Sequence, residues 1–118
     1  MKTLVHDIIG ENCITIDDGQ KIYNTIHPEL AAGRPVELDF DRVEIFASPF
    51  FNAAIGQLLK DIEPDALNRL LAFFGLNSNG QNVMKKVIEN SKRYYHNPEL
   101  RKNLDDIFLE QSKEQQWQ

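Results

Sequence analysis

Cysteine is almost absent from this chain, and what a lone Cys13 excludes is considerable. No intramolecular disulfide and no cysteine-built zinc site are available, and a reducing cytoplasm is the implied setting. With Ile14 and Ile16 as near neighbours, Cys13 reads as a small buried hydrophobe rather than a nucleophile. Long apolar runs are missing too. No stretch approaches the ~20 apolar residues of a membrane helix, and Asp7 comes too early for a secretion signal. His6, His27 and His96 are dispersed, so no metal-ligating pair forms. The glycines stand singly, which leaves neither phosphate-cradling nor dinucleotide-binding loops. Ser48 sits in no nucleophile elbow. The expectation is a chain without enzymatic activity, metal or cofactor.

What is present is ordinary for one soluble domain: 118 residues, 42% apolar and 26% charged. A net charge of −5 argues against a protein that coats nucleic acid. The charge is uneven, however. Between Lys85 and Lys102, six bases (Lys85, Lys86, Lys92, Arg93, Arg101, Lys102) face two acids, Glu89 and Glu99, a local +4 against −9 elsewhere. A solvated helix face is the plain reading, and an acidic partner surface the functional one.

The most informative segment runs from Pro35 to Leu59. Val36 to Phe40 alternates as a strand, and Val43 to Ala47 is a second extended piece. A Ser-Pro step then opens an apolar helix. Ser48 is expected as its N-cap and Pro49 at its first position. Phe51, Ala54, Ile55, Leu58, Leu59 and Ile62 predict a buried stripe over Pro49 to about Ile62. A hydroxyl at the rim of a sheet beside a helix start favours anions. Asp39 and Asp41 flank Phe40, and a turn-capping role for Asp39 is expected over catalysis.

These residues resemble the core signature of the STAS fold (sulfate transporter and anti-sigma-factor antagonist domains), in its small bacterial STAS-like branch. Leu38-Asp39-Phe40 and Ile45-Phe46-Ala47-Ser48-Pro49-Phe50-Phe51 occupy the places of that family's strand and its step into a helix. The chain departs from the pattern at Phe50, where a second small or hydroxyl residue is common. The resemblance covers roughly residues 2–91. It implies an α/β fold, with a STAS-like central mixed β-sheet, helices packed on it and a C-terminal helical extension. It also implies a serine phosphorylated by an ATPase-type kinase, here Ser48.

Elsewhere the pattern predicts a hairpin from residues 2–9 and 13–16 around Gly10-Glu11-Asn12. A helix capped by Asp17 or Asp18 should run through Ile22, Tyr23 and Ile26, with His27-Pro28 complicating its end. Asn68 to Leu76 is ambiguous between helix and strand by propensity; its apolar run from Leu70 to Phe74 before Gly75 fits an inner strand, which the element order of the resembled fold favours. Ser78 to Gln81 has the form of a capping box, opening a helix with Val83, Met84, Val87, Ile88, Tyr94 and Tyr95 on its stripe. After Asn97-Pro98 a last helix is expected, with Leu100, Leu104, Ile107 and Phe108 on one side, then a fraying polar end. The division expected is a STAS-like domain over residues 1–96, then a C-terminal helix and tail over 97–118.

The leading expectation is a cytoplasmic, non-enzymatic regulatory protein of the anti-sigma-factor-antagonist kind, acting by docking. Its partner would be a histidine-kinase-like ATPase or anti-sigma-type protein. Ser48, Pro49, Phe50 and Asn52 would form the docking or phosphorylation site, with Asp39 and Asp41 on the rim. A homodimer through the C-terminal helix stays open. The alternative is a nucleic-acid-associated or antirepressor-like protein using the basic helix over residues 85–102, where Lys85, Lys86, Lys92 and Arg93 would form the patch.

Overall fold

Strand and helix alternate along the chain, and a computed structural model describes residues 1–96. β1 (Lys2–Leu4) runs into α1 (Val5–Ile9), then β2 (Asn12–Cys13), α2 (Ile16–Ala31), β3 (Val36–Asp39) and β4 (Ile45–Phe46). There follow α3 (Ser48–Ala54), a 3-10 turn (Gly56–Lys60), α4 (Pro64–Leu70), β5 (Leu71–Phe74) and α5 (Ser78–His96). The fold is α/β and consistent with a STAS-like architecture. Within the described residues there are two parallel sheets, one of three strands ordered β1-β3-β5 and one formed by β2 and β4.

The expected hairpin is not formed. Its two arms belong to different sheets: Thr3 pairs with Leu38, whereas Asn12 and Cys13 pair with Ile45 and Phe46. Between them Val5 to Ile9 winds a helical turn that carries the chain from one sheet to the other. Alternation of apolar residues specifies which side faces the core, not which strand is the partner.

Register explains the layers. Val36, Leu38 and Leu71 are buried on one side of the three-stranded sheet, while Leu4, Ala72 and Phe74 on the other are exposed. The described helices therefore cover a single face. α2 contributes Ile22, Ile26 and Leu30 to the core, and this stripe continues across Pro28, so the helix runs through His27-Pro28 to Ala31. One lost backbone bond is outweighed by a turn that buries Leu30. His27 Nε2 lies 2.9 Å from Asp61 Oδ2, which ties this turn to the end of the 3-10 segment. The N-cap of α2 is Thr15, whose Oγ1 accepts from the Asp18 N–H at 3.1 Å; neither Asp17 nor Asp18 takes that role.

At the centre Phe51 meets three rings, Phe40, Phe46 and Phe50, at centroid distances of 5.9, 5.8 and 5.2 Å. α2 and α3 pack backbone to backbone here. A Cβ on Gly19 would collide with the Phe50 carbonyl, so only glycine permits this approach. The stripe expected from Phe51 to Ile62 is buried throughout, but a break at Ile55 divides it between α3 and the 3-10 turn.

Leu71 to Phe74 is a strand as expected, though it is preceded by the helix Pro64–Leu70 and lies at the outside of the described sheet, next to β3. The expected helix over residues 98–111, and the tail after it, lie outside the described residues.

Candidate functional site

The step from β4 into α3 carries Ser48, Pro49 and Asn52 to the surface, and Phe50 into the core with no exposure at all. Helical spacing causes the split: Phe50, Phe51, Ala53 and Ala54 face inward, leaving positions 48, 49 and 52 outward. Phe50 is therefore an anchor of the helix and no part of a recognition edge. The expected cap also shifts by one residue. Ala47 stands at the cap position, and Ser48 is the first helical residue with its hydroxyl on the solvent side. Pro49 accordingly falls in the second position, where its missing N–H is still harmless.

Near Ser48 the β2–β4 pair carries exposed apolar residues that the motif alone does not reveal. The Ala47 N–H donates to the Cys13 carbonyl at 2.9 Å, which sets Ile14 beside the start of α3. Cys13 and Phe46 face inward from the β2–β4 pair, so Ile14 and Ile45 face outward. Ile45 is 51% exposed and Ile16, two residues beyond Ile14, is 62% exposed. Exposed acidic residues adjoin these isoleucines along the chain: Glu44 next to Ile45, Asp17 next to Ile16, and Glu11, whose carbonyl accepts from the Glu44 N–H at 3.0 Å. The signal was present in the sequence as isoleucines at 14, 16 and 45. Alternation misled there, since it was read as a hairpin facing the core.

Cys13, beneath this patch, is buried, and its thiol is pushed up to about 12, chiefly by burial and then by the nearby Asp18 carboxylate. It is chemically quiet, as the small-hydrophobe reading expects.

Asp39 and Asp41 take the turn-building role. Asp39 Oδ1 accepts from the Asp41 N–H at 2.9 Å, and Lys2 Nζ lies 3.9 Å from Asp39 Oδ2. Gly75 closes against this turn with φ +76, and a Cβ there would stand 2.7 Å from Asp41 N. Arg42 adopts φ 68 at the turn's third position, a left-handed conformation, and its guanidinium lies 3.6 Å from Asp7.

Lys85, Lys86, Lys92 and Arg93 are all exposed on one side of α5, with Glu89 in their midst at ~100° per residue. Val87 and Tyr94 are buried on the other side and Tyr95 is half-buried, so the bases stand apart from the aromatics. Among the described residues no hydrogen bond or ion pair links Ser48, the Asp39–Asp41 turn and the basic side of α5. Nor does any group of three or more metal-ligating side chains gather there. No helix of the described residues is long and apolar enough to cross a membrane.

Residues 18–81 match the family described as a STAS-like domain of unknown function (DUF4325). That span runs from the first turn of α2 into α5 and includes β3, β4 and the Ser48 step. No curated protein and no solved structure matches the chain.

Proposed function

Since this chain belongs to the STAS-like domain family, we propose that it is a non-enzymatic regulatory protein acting by docking, in the manner of an anti-sigma-factor antagonist. The observation that carries the reading is the exposure of Ile14 and Ile45 where the β2–β4 pair leads into Ser48, Pro49 and Asn52, with exposed Ile16 two residues beyond Ile14. Exposed apolar side chains at a rim, with acids adjoining them, suit recognition of a protein surface. Glu11, Asp17 and Glu44 favour a partner whose apolar contact is bordered by lysine or arginine. A histidine-kinase-like ATPase of the anti-sigma type is the partner the family resemblance suggests, and a cytoplasmic setting goes with it.

The test is binding. A purified ATPase of this kind, encoded beside the chain, should form a stable complex. Ile45→Asp should weaken it by about tenfold or more, because a charge would be buried at the contact. A complex that never forms, or one indifferent to Ile45→Asp, overturns the assignment.

Ser48 extends the proposal to a switch. Its hydroxyl is exposed, and phosphorylation adds about −1.5 to −2 charges to a rim that is already acidic. Like-charge repulsion and the cost of stripping water from a phosphate then loosen docking. Mass spectrometry after incubation with ATP and an active partner reads this directly; an unmodified Ser48 removes the switch and leaves docking intact.

The nucleic-acid reading draws on the basic side of α5 alone. Without aromatics on that side, binding would be purely electrostatic, and an electrophoretic shift that fades steeply with salt is what it requires.

A further inference from the structure

β2 has an open outer edge. Among the described strands, β1 and β2 are outer strands of their two sheets, and the α1 turn joins them. The Glu11 and Cys13 carbonyls accept from the Glu44 and Ala47 N–H groups, so both face β4. Successive residues of a strand turn their backbone groups to opposite edges, so those of Asn12 and Ile14 face outward. Among the described residues neither the N–H nor the C=O of Ile14 has a partner. Extended backbone continues past the pair, because Thr15 stands at φ −90 and ψ 155 before α2 begins.

The two outer strands are protected differently. β1 carries Lys2 and gives way after three residues to a helical turn, both of which discourage a further strand. β2 has neither lysine nor proline from Glu11 to Asp17, and the apolar side chains along this stretch include the exposed Ile14 and Ile16. Such an edge accepts another strand, its backbone giving affinity and alternate side chains giving specificity. The acids choose among occupants. Glu11 and Asp17 bound the stretch at its two ends and Glu44 adjoins Ile45, all three exposed. A second copy would bring the same acids to the edge, whereas a basic strand finds opposite charges there.

We propose that the outer edge of β2 takes up an extended, basic segment of a protein partner as an added strand. The segment hydrogen-bonds through its backbone to the N–H and C=O of Ile14. Its apolar side chains extend the outward face that Ile14 and Ile45 share, and lysine or arginine at its flanks meets Glu11 and Asp17. This mode rests on the docking reading of the Ile14 and Ile45 surface, whichever protein docks there.

A synthetic peptide, acetyl-Lys-Val-Lys-Val-Lys-amide, titrated into the full chain and followed by heteronuclear NMR, tests it. At a concentration about ten times its Kd, exchange of the Ile14 amide proton should slow about tenfold, while that of Leu4 in β1 stays unchanged. A copy N-methylated at two adjacent central residues keeps its side chains but has both backbone edges blocked. It should bind at least about tenfold more weakly, and so should the peptide with glutamate in place of lysine. An unprotected Ile14 amide, or an N-methylated or acidic peptide that binds as well as the basic one, overturns strand addition. The docking reading fails separately, through an ATPase complex that is absent or indifferent to Ile45→Asp. A complex sensitive to Ile45→Asp, found beside an unprotected Ile14, therefore removes strand addition and leaves docking in place.

Discussion

α3 and α5 both begin at a serine, and the two starts are built differently. At α5 the cap is Asn77: its Oδ1 accepts from the Gly80 N–H at 2.8 Å, and its amide donates to the Glu44 carbonyl at 3.2 Å. Gln81 adds a bond from its amide to the Leu76 carbonyl at 3.0 Å. At α3 the cap position holds Ala47, which has no side-chain acceptor, and Ser48 faces solvent. One start is fastened by side-chain bonds to the Glu44 carbonyl and the preceding loop; the other has no such bond and is held by its buried phenylalanines and by the Ala47 N–H bond to the Cys13 carbonyl. A helix anchored through its buried side leaves the polar groups of its first turn free for another molecule.

The sharpest way to break this comparison is to remove the anchor. Phe51 is fully buried against three rings, so Phe51→Ala should cost about 3–5 kcal/mol in urea unfolding. Asn52→Ala, one residue on and exposed, should stay within about 0.5 kcal/mol. If the two costs were alike, α3 would not depend on its inner face. Gly19→Ala probes the same anchor from α2. The obstacle is the Phe50 backbone, which cannot rotate away as a side chain can, so a loss of about 1–3 kcal/mol is expected. A neutral result would mean that α2 and α3 shift apart freely.

The other side of the comparison predicts a smaller effect. Asn77→Ala removes the cap of α5 and the link to the Glu44 carbonyl, at a cost of about 1 kcal/mol. Ser78→Ala should cost less, since Ser78 is the first helical residue rather than the cap. A reversal of that order, measured by thermal unfolding, would restore Ser78 as the capping residue that the Ser-x-x-Gln spacing predicts.

Much of the fold was legible, and where reading failed the cause is physical. Helix interiors showed because burial repeats with the helical period: Ile22, Ile26 and Leu30, then Phe51 to Ile62, fall where that period puts them. Caps were misplaced by one residue at both Ser48 and Ser78. A Ser-Pro or Ser-Asn step is compatible with either a cap or a first helical position, and only backbone angles distinguish them. Strand partners were the hardest. β1 and β2 each pair in parallel with strands that come after α2, and nothing local in residues 2–16 encodes those distant partners. The same failure hid the isoleucine patch, because Ile14 and Ile45 become neighbours only through the β2–β4 pairing. Of the candidate site, Ser48, Pro49 and Asn52 are exposed where the motif puts them, whereas Phe50 turns inward because helical spacing sets it on the same side as Phe51, Ala53 and Ala54.

The smallest expected effect on stability is the most telling for the comparison. Ser48→Ala should leave unfolding within about 0.5 kcal/mol of the native chain, because the hydroxyl caps nothing and Ala is a better helix former at a first-turn position. A cap serine would instead lose about 1 kcal/mol, so this one measurement separates the two roles. Ser48→Asp adds a further distinction. A carboxylate in the first turn of a helix gains a few tenths of a kcal/mol from the dipole, so the free protein should be slightly more stable. Docking at the acidic rim should weaken at the same time, since the new charge sits beside Ile14 and adds to Glu11, Asp17 and Glu44. Stability and affinity moving in opposite directions is what a surface residue devoted to recognition produces, and a structural cap would move them together.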